Sequence, residues 1–262
     1  MSNFITNIFR NDKKLTVDQY IVKKTITGFF FLFLFFGACI WSWKWLRRQP
    51  LDSGIRGGIQ QPLRDVLNAN ETIFNKVFSK KHLAKTYPAS QASKYARHNG
   101  NIGMGNDFDP STWKLYVIKK NADTLALSLD DIKKLPKVDI IFNFKCIEGW
   151  NQITHWAGVK FSDFLKAYGL TEESQMKYVG LVTPDEEYYV GNDMPSMLQP
   201  QTILCYELNG QPLPMKEGFP LRLIIPVKYG IKHLKRIGTM FFSNSRPPDY
   251  WAERGYDYYS GL

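Results

Sequence analysis

The chain has 262 residues, 44% of them hydrophobic and 15% aromatic, and a formal net charge of +10. That length suits one large domain with an appendage. The positive charge suggests nucleic acid, an anionic membrane surface or an anionic ligand as partner. No RNA-binding aromatic signature, zinc-finger spacing or helix-turn-helix pattern is present, so nucleic acid is set aside. The cysteines Cys39, Cys146 and Cys205 are odd in number and form no Cys-x-x-Cys. This argues against a disulfide framework, a haem attachment site or a zinc ribbon. The histidines His82, His98, His155 and His233 are too scattered for a dedicated zinc site.

Residues 1–24 form a polar, basic segment, and residues 25–43 then run without a charge. At roughly 1.5 Å per residue, such a helix just crosses a hydrocarbon core of about 30 Å. Trp41, Trp43 and Trp45 would lie at one interface, with Lys44, Arg47 and Arg48 beyond. A cleaved signal peptide and a lipoprotein site at Cys39 are alternatives; the tryptophans and the continuing apolar run favour a retained anchor over 25–46. Basic residues at both ends barely decide orientation, although Lys23-Lys24-Thr25-Ile26 resembles a twin-arginine export signal with lysines substituted. The expectation is a single-pass inner-membrane protein with the domain that follows in the periplasm.

Residues 47–94 read as a juxtamembrane helical linker, with a flexible break at 54–58. Leu63, Val66, Leu67, Phe74, Val77 and Phe78 recur at helical spacing, which predicts one or two amphipathic helices packed as a collar over 62–83. The domain proper is expected over 95–262. It opens with the Gly-rich loop Arg97-His98-Asn99-Gly100-Asn101-Ile102-Gly103-Met104-Gly105, where backbone amides can approach an anion. A strand follows over 113–119, then a short helix within 127–135 with Ser128 as its cap.

After the breaker Pro136, the β-branched and aromatic run 138–144 reads as a buried strand. Cys146 falls where that strand ends, within Cys146-Ile147-Glu148-Gly149-Trp150. A thiolate there can point into a cleft; alternatively it is a small buried hydrophobe. If the strand continues, Lys145 alternates away from Cys146. A helix over 160–168 ends at Gly169, a strand over 176–183 ends at Thr183, and a short helix covers 194–198. A strand over 202–208 carries Cys205 as a structural residue and runs into the hairpin signal Asn209-Gly210. Another strand covers 222–227. Tyr229 to Lys235 follows as a loop, then a strand over 237–243, and the chain closes on Tyr250-Trp251-Ala252-Glu253-Arg254-Gly255-Tyr256.

Cys146-Ile147-Glu148-Gly149-Trp150 and Gly218-Phe219-Pro220-Leu221-Arg222 running on to His233-Leu234-Lys235 resemble, in that order, two segments of the sulfite oxidase-type molybdopterin superfamily. The similarity leans towards the catalytic subunits of bacterial protein-methionine-sulfoxide reductases. The resemblance implies an α+β fold of mixed β-sheets with peripheral helices. It implies molybdenum-molybdopterin as cofactor, with Cys146 as catalytic thiolate and metal ligand. It also implies cofactor contacts from His98 and Asn99 in the Gly-rich loop, and from Thr183, Arg222, His233 and Lys235. Glu217 stands where the reductases have Asn, and His233 where they have Ser.

Residue chemistry is compatible with that reading. A Cys thiolate suits a soft metal. Arg222 offers a bidentate fork for a phosphate, and Lys228, Lys232 and Lys235 offer point charges, unless these are solvated surface cations. The chain carries no cytochrome b5-like segment or flavin fingerprint, so electrons would come from another protein, a b-type cytochrome as in the reductases. The expected activity is oxygen-atom transfer that reduces a small-molecule or protein S-oxide such as methionine sulfoxide. Sulfite oxidation, and a cofactor-free structural subunit on the same fold, are the alternatives.

Overall fold

The computed structural model describes residues 15–52, 58–79, 81, 83–98 and 100–261. Asn99, His82 and most of the 54–58 break therefore lie outside the described residues. The chain divides into two units, one of Met1–Asp52 with Gln60–Pro62, the other of Ser53–Ile59 with Leu63–Leu262.

In the smaller unit, helix α1 spans Val17–Arg47. Thr16 caps it reciprocally with Gln19, and Lys44 and Arg47 complement its C-terminal dipole. None of its residues is buried. It is long and apolar enough to cross a membrane by length and composition.

In the larger unit, helix α2 (Gln61–Val77), which belongs to it from Leu63 on, precedes two five-stranded sheets. The first has the order β2-β1-β10-β5-β6, from β1 (Leu115–Ile118), β2 (Thr124–Leu127), β5 (Tyr178–Val182), β6 (Tyr189–Asp193) and β10 (Thr239–Ser243). Its β1–β10 pair is parallel and its other pairs are antiparallel. The second runs β3-β4-β7-β8, from β3 (Lys137–Lys145), β4 (Asn151–Lys160), β7 (Ile203–Leu208) and β8 (Gln211–Pro212). There β9 (Arg222–Ile224) also pairs with β7. Short helices α3 (Leu129–Lys133), α4 (Phe161–Ala167) and α5 (Met194–Met197) join the strands. The architecture is α+β, mixed sheets with peripheral helices, as expected.

Period-two alternation explains how the second sheet serves two cores. Leu204 and Tyr206 of β7 and Leu223 of β9 join Leu115, Val117, Leu181 and Met240 of the first sheet in one core. Ile203, Cys205 and Ile224 face the other way and meet Ile140, Phe142, Phe144 and Trp156 in a second. Cys205 is structural in this sense: burial pushes its thiol up to about 12, and Sγ donates to the Glu207 carbonyl.

Most elements lie where the sequence places them. Ser128 caps α3 in a box with Asp131. The strand expected over 222–227 stops at Ile224, because the chain then turns back: the Lys228 amide donates to the Ile225 carbonyl. The second collar helix is absent among the described residues, and α2 ends at Val77.

Helix α2 also docks in an unexpected way. Of the predicted apolar face, Leu67, Phe74 and Phe78 are half-buried but Leu63, Val66 and Val77 stay exposed, while Arg64 and Glu71 are buried.

Candidate active site

Cys146 sits in the hairpin between β3 and β4, whose register runs to Lys145 opposite Asn151. Its amide donates to the Trp150 carbonyl at 2.9 Å, and its carbonyl accepts from Gly149 at 3.1 Å. Gly149 takes φ +88°, a left-handed conformation that a side chain would strain. Alternation along β3 buries Phe142, Phe144 and Cys146 and leaves Lys145 exposed. Cys146 forms no disulfide.

The buried face of β3 packs on the segment after β9. The ring of His233 meets Phe144 edge-on at 4.8 Å and lies parallel to Phe142 at 6.3 Å. A Cβ on Gly230 would meet the Phe144 ring at 2.8 Å, so glycine lets this loop approach that ring closely.

The result is a cleft with a cavity volume of about 120 Å³. Cys146, Ile147 and Glu148 line it from the hairpin, Gly100 and Ile102 from the Gly-rich loop, and Tyr188 from the approach to β6. Gly230, Ile231, His233 and Lys235 line it from the segment after β9, and Trp251 and Tyr256 from the C-terminal turn. Of the residues singled out in the sequence, Cys146, His233 and Lys235 therefore share one cavity. Tyr188, Trp251 and Tyr256 were not assigned to a site. Their only sequence signal is the aromatic density of the C-terminal run and of the turn after Thr183.

Lys235 reaches His98 Nδ1 and the Gly100 carbonyl, each at 3.4 Å. Burial, then the Arg222 guanidinium, lowers its pKa from the ordinary 10.5 to about 8. His98 Nδ1 also lies 3.5 Å from Glu217 Oε1, and its Nε2 contacts Asn101. His233 has both nitrogens engaged by backbone: Nδ1 accepts from the Ile225 amide at 3.4 Å and Nε2 donates to the Lys228 carbonyl at 3.2 Å. Burial, and then Arg222, push its pKa down to about 3, so it is neutral and offers the cleft only its ring.

Arg222 lines a separate, smaller recess of about 10 Å³ with Phe144, Trp156 and Glu217. It donates to the side chain and carbonyl of Glu217 at 3.0 Å and stacks on Trp156 at 4.5 Å. Among the described residues, two buried polar atoms here, Arg222 Nε and Glu217 Oε1, accept or donate no hydrogen bond, the oxygen having only the 3.5 Å contact with His98.

Thr183 does not line the cleft. Its Oγ1 lies 2.6 Å from Asp185 Oδ1 and accepts from the Tyr188 amide, closing the turn that carries Tyr188. Lys228 is also outside it, bound to Asp193 at 2.6 Å and to the Tyr259 carbonyl at 2.9 Å. Lys232 is held in the same manner by Asp249 and the Gly191 carbonyl.

Residues 102–251 match the family described as the oxidoreductase molybdopterin binding domain. The chain is 34% identical over 205 residues to the candidate protein-methionine-sulfoxide reductase subunit YedZ1 of Azospira oryzae, covering 78% of this chain and 77% of that one. It is 27% identical over 178 residues to the protein-methionine-sulfoxide reductase catalytic subunit MsrP of Campylobacter jejuni, covering 62% and 60%. It is 30% identical over 181 residues to the mitochondrial sulfite oxidase of Rattus norvegicus, covering 59% and 33%. The match thus spans under two thirds of the latter two proteins.

Proposed function

Because the chain belongs to the oxidoreductase molybdopterin binding domain family, and so is a molybdopterin-dependent oxidoreductase with molybdenum-molybdopterin as cofactor, we propose that it removes an oxygen atom from a neutral S-oxide such as methionine sulfoxide.

The residues present fit the cofactor. The cleft carries a thiol for a soft metal at one wall and an ammonium for an anion at another. Among the described residues, Arg222 Nε in the recess is buried without a hydrogen bond. Cys146 would ligate the metal, and Lys235 with His98 would hold an anionic portion. The Gly-rich loop, Asn99 included, would supply backbone and side-chain donors. His233 would offer a ring face, while Thr183, Arg222 and Lys228 shape the site through the turns and strands they fix. Glu217 already neutralises Arg222, so an anion seated there shares the guanidinium with a carboxylate. Bound, the group supplies oxygen-atom transfer with the metal changing oxidation state.

The chain's own part is to bind and orient the S-oxide and to limit water. Tyr188, Trp251 and Tyr256 with Ile147 and Ile231 give the cleft an aromatic and apolar wall. Among the described residues lining the cleft, Lys235 is the sole ammonium or guanidinium and Glu148 the sole carboxylate. This lining is the observation that favours a neutral S-oxide. A sulfite dianion calls for several converging cations. The Tyr188 hydroxyl donates to the Ile231 carbonyl at 2.6 Å, and burial raises its pKa, so it remains protonated and fixes that wall.

Helix α1 is read as a retained membrane anchor of a single-pass inner-membrane protein with this domain in the periplasm. A membrane b-type cytochrome is read as the electron donor.

The test offers methionine sulfoxide with a reduced viologen dye and, separately, sulfite with an oxidised acceptor. Dye oxidation with the S-oxide and little sulfite turnover is expected. Fast sulfite oxidation without S-oxide reduction overturns the proposal.

A further inference from the structure

The collar helix α2 reaches the cleft through one side chain. Arg64 is 8% exposed. Its Nη1 donates to the Tyr256 carbonyl at 2.7 Å and its Nη2 to the Ala252 carbonyl. Those acceptors bracket the 3-10 turn Ala252–Arg254 and its left-handed Gly255. On either side of that turn stand Trp251 and Tyr256, both lining the cleft, with rings edge-to-face at 5.0 Å. The turn's own bonds, Gly255 to Ala252 at 3.1 Å and Tyr256 to Trp251 at 3.0 Å, close it locally. Against the body it is held on two sides: the Tyr189 hydroxyl of β6 donates to Glu253 at 2.5 Å, and on the α2 side the planar Arg64 fork is matched to two carbonyls. The rest of α2 grips farther along, with Asn70 on Asp257 at 3.2 Å and Phe74 stacked on Tyr259 at 4.9 Å.

We propose that Arg64 is a positioning residue for substrate selection: its fork sets the Trp251–Tyr256 wall and so the cleft's preference for a bulky S-oxide over a small one. This rests on the reading of the cleft as the S-oxide site. Arg64 touches neither substrate nor cofactor, and it acts through two backbone oxygens.

The test uses the full chain loaded with cofactor, as wild type, Arg64→Met, Arg64→Lys and Trp251→Ala. KM and kcat are measured for methionine sulfoxide and for dimethyl sulfoxide with a reduced viologen. Molybdenum per chain and the rate of tryptic cleavage after Arg254 are measured alongside. Losing a charge-assisted bond of this kind should raise KM for methionine sulfoxide about tenfold in Arg64→Met. The dimethyl sulfoxide KM, kcat and molybdenum content should stay within about twofold, and cleavage after Arg254 should accelerate about tenfold. Arg64→Lys, which keeps the charge without the fork, should fall between; it carries the test alone if Arg64→Met does not accumulate.

If Trp251→Ala raises KM and Arg64→Met does not, the inference fails while the cleft reading stands. If both substrates and the molybdenum content suffer together, Arg64 is merely structural and the inference also fails. If Trp251→Ala leaves KM untouched, the cleft reading fails, and the cleavage rate alone then reports whether Arg64 holds the turn.

Discussion

Lys228 and Lys235 leave one segment, and burial lowers the pKa of each to about 8, yet they belong to different parts of the molecule. Lys228 is 1% exposed, paired with Asp193, set over the Tyr259 ring at 3.0 Å, and absent from the cleft wall. Lys235 lines the cleft and touches the Gly-rich loop. A like shift therefore marks unlike roles. Desolvation moves both ammonium groups, but geometry decides whether the charge fastens two elements or faces a ligand. The first fastens β6 and the C-terminal segment. The second stands across the cavity from Cys146.

The largest effect that would break this division is at the thiol. Cys146→Ser is expected to lower turnover by at least about a thousandfold, because a hydroxyl is a poor ligand for a soft metal. The melting temperature should move by no more than about 2 °C, since Cys146 is a small residue at a hairpin end. Turnover assays and thermal melts on the same preparation check both, and full activity would sink the assignment.

Next comes the direct contrast of the two lysines. Lys228→Met leaves Asp193 buried without its cation, which should cost about 3–5 kcal/mol of stability. Adding Asp193→Asn should recover part of that. Lys235→Met should change stability by about 1 kcal/mol or less while weakening retention of the cofactor about ten- to a hundredfold. Denaturant melts and molybdenum content after gel filtration separate the two. Equal losses of stability would erase the distinction between fastener and ligand-facing charge.

The sequence carries some of this division and not the rest, for physical reasons. The strand before Cys146 is legible because a β-branched, aromatic run after Pro136 has few other ways to fold, and its alternation places Lys145 outward. Caps are local too, so Ser128 and its box with Asp131 can be read directly. The four cations of residues 222–235 read as one cluster, because their partners are remote. Asp193 and Asp249 come from distant segments, and only folding reveals that Lys228 and Lys232 are already neutralised. Helix α2 follows its periodicity only in part. Phe74 stacks on Tyr259, but elsewhere the surface it meets presents bare carbonyls and the Tyr178 hydroxyl, so Arg64 and Glu71 turn in. The aromatic wall escaped for a similar reason. Tyr188, Trp251 and Tyr256 converge from distant segments, and nothing local distinguishes a lining tyrosine from a core one.

The smallest expected effect is in pH, and it tests whether Lys235 binds as a cation. Its folded pKa of about 8 lies below the ordinary 10.5. Between those values the unfolded chain holds more protons than the folded one, so this group makes the cofactor-free protein more stable as pH rises through that window. Retention of an anion runs the other way, because the ammonium it contacts is lost above about 8. A bound anion holds the proton and moves that loss to somewhat higher pH. Molybdenum retained after gel filtration should thus fall severalfold between about pH 7 and 9.5 in the wild type, while the melting temperature of the cofactor-free chain does not fall with it. Lys235→Met should retain less cofactor at every pH, with a flat profile. Lys228→Arg, which keeps the pair with Asp193, should follow the wild-type curve. A wild-type profile that stays flat to pH 9.5, or a Lys235→Met profile that still falls, would show that the cofactor's charge is held elsewhere and that the two lysines differ only in burial.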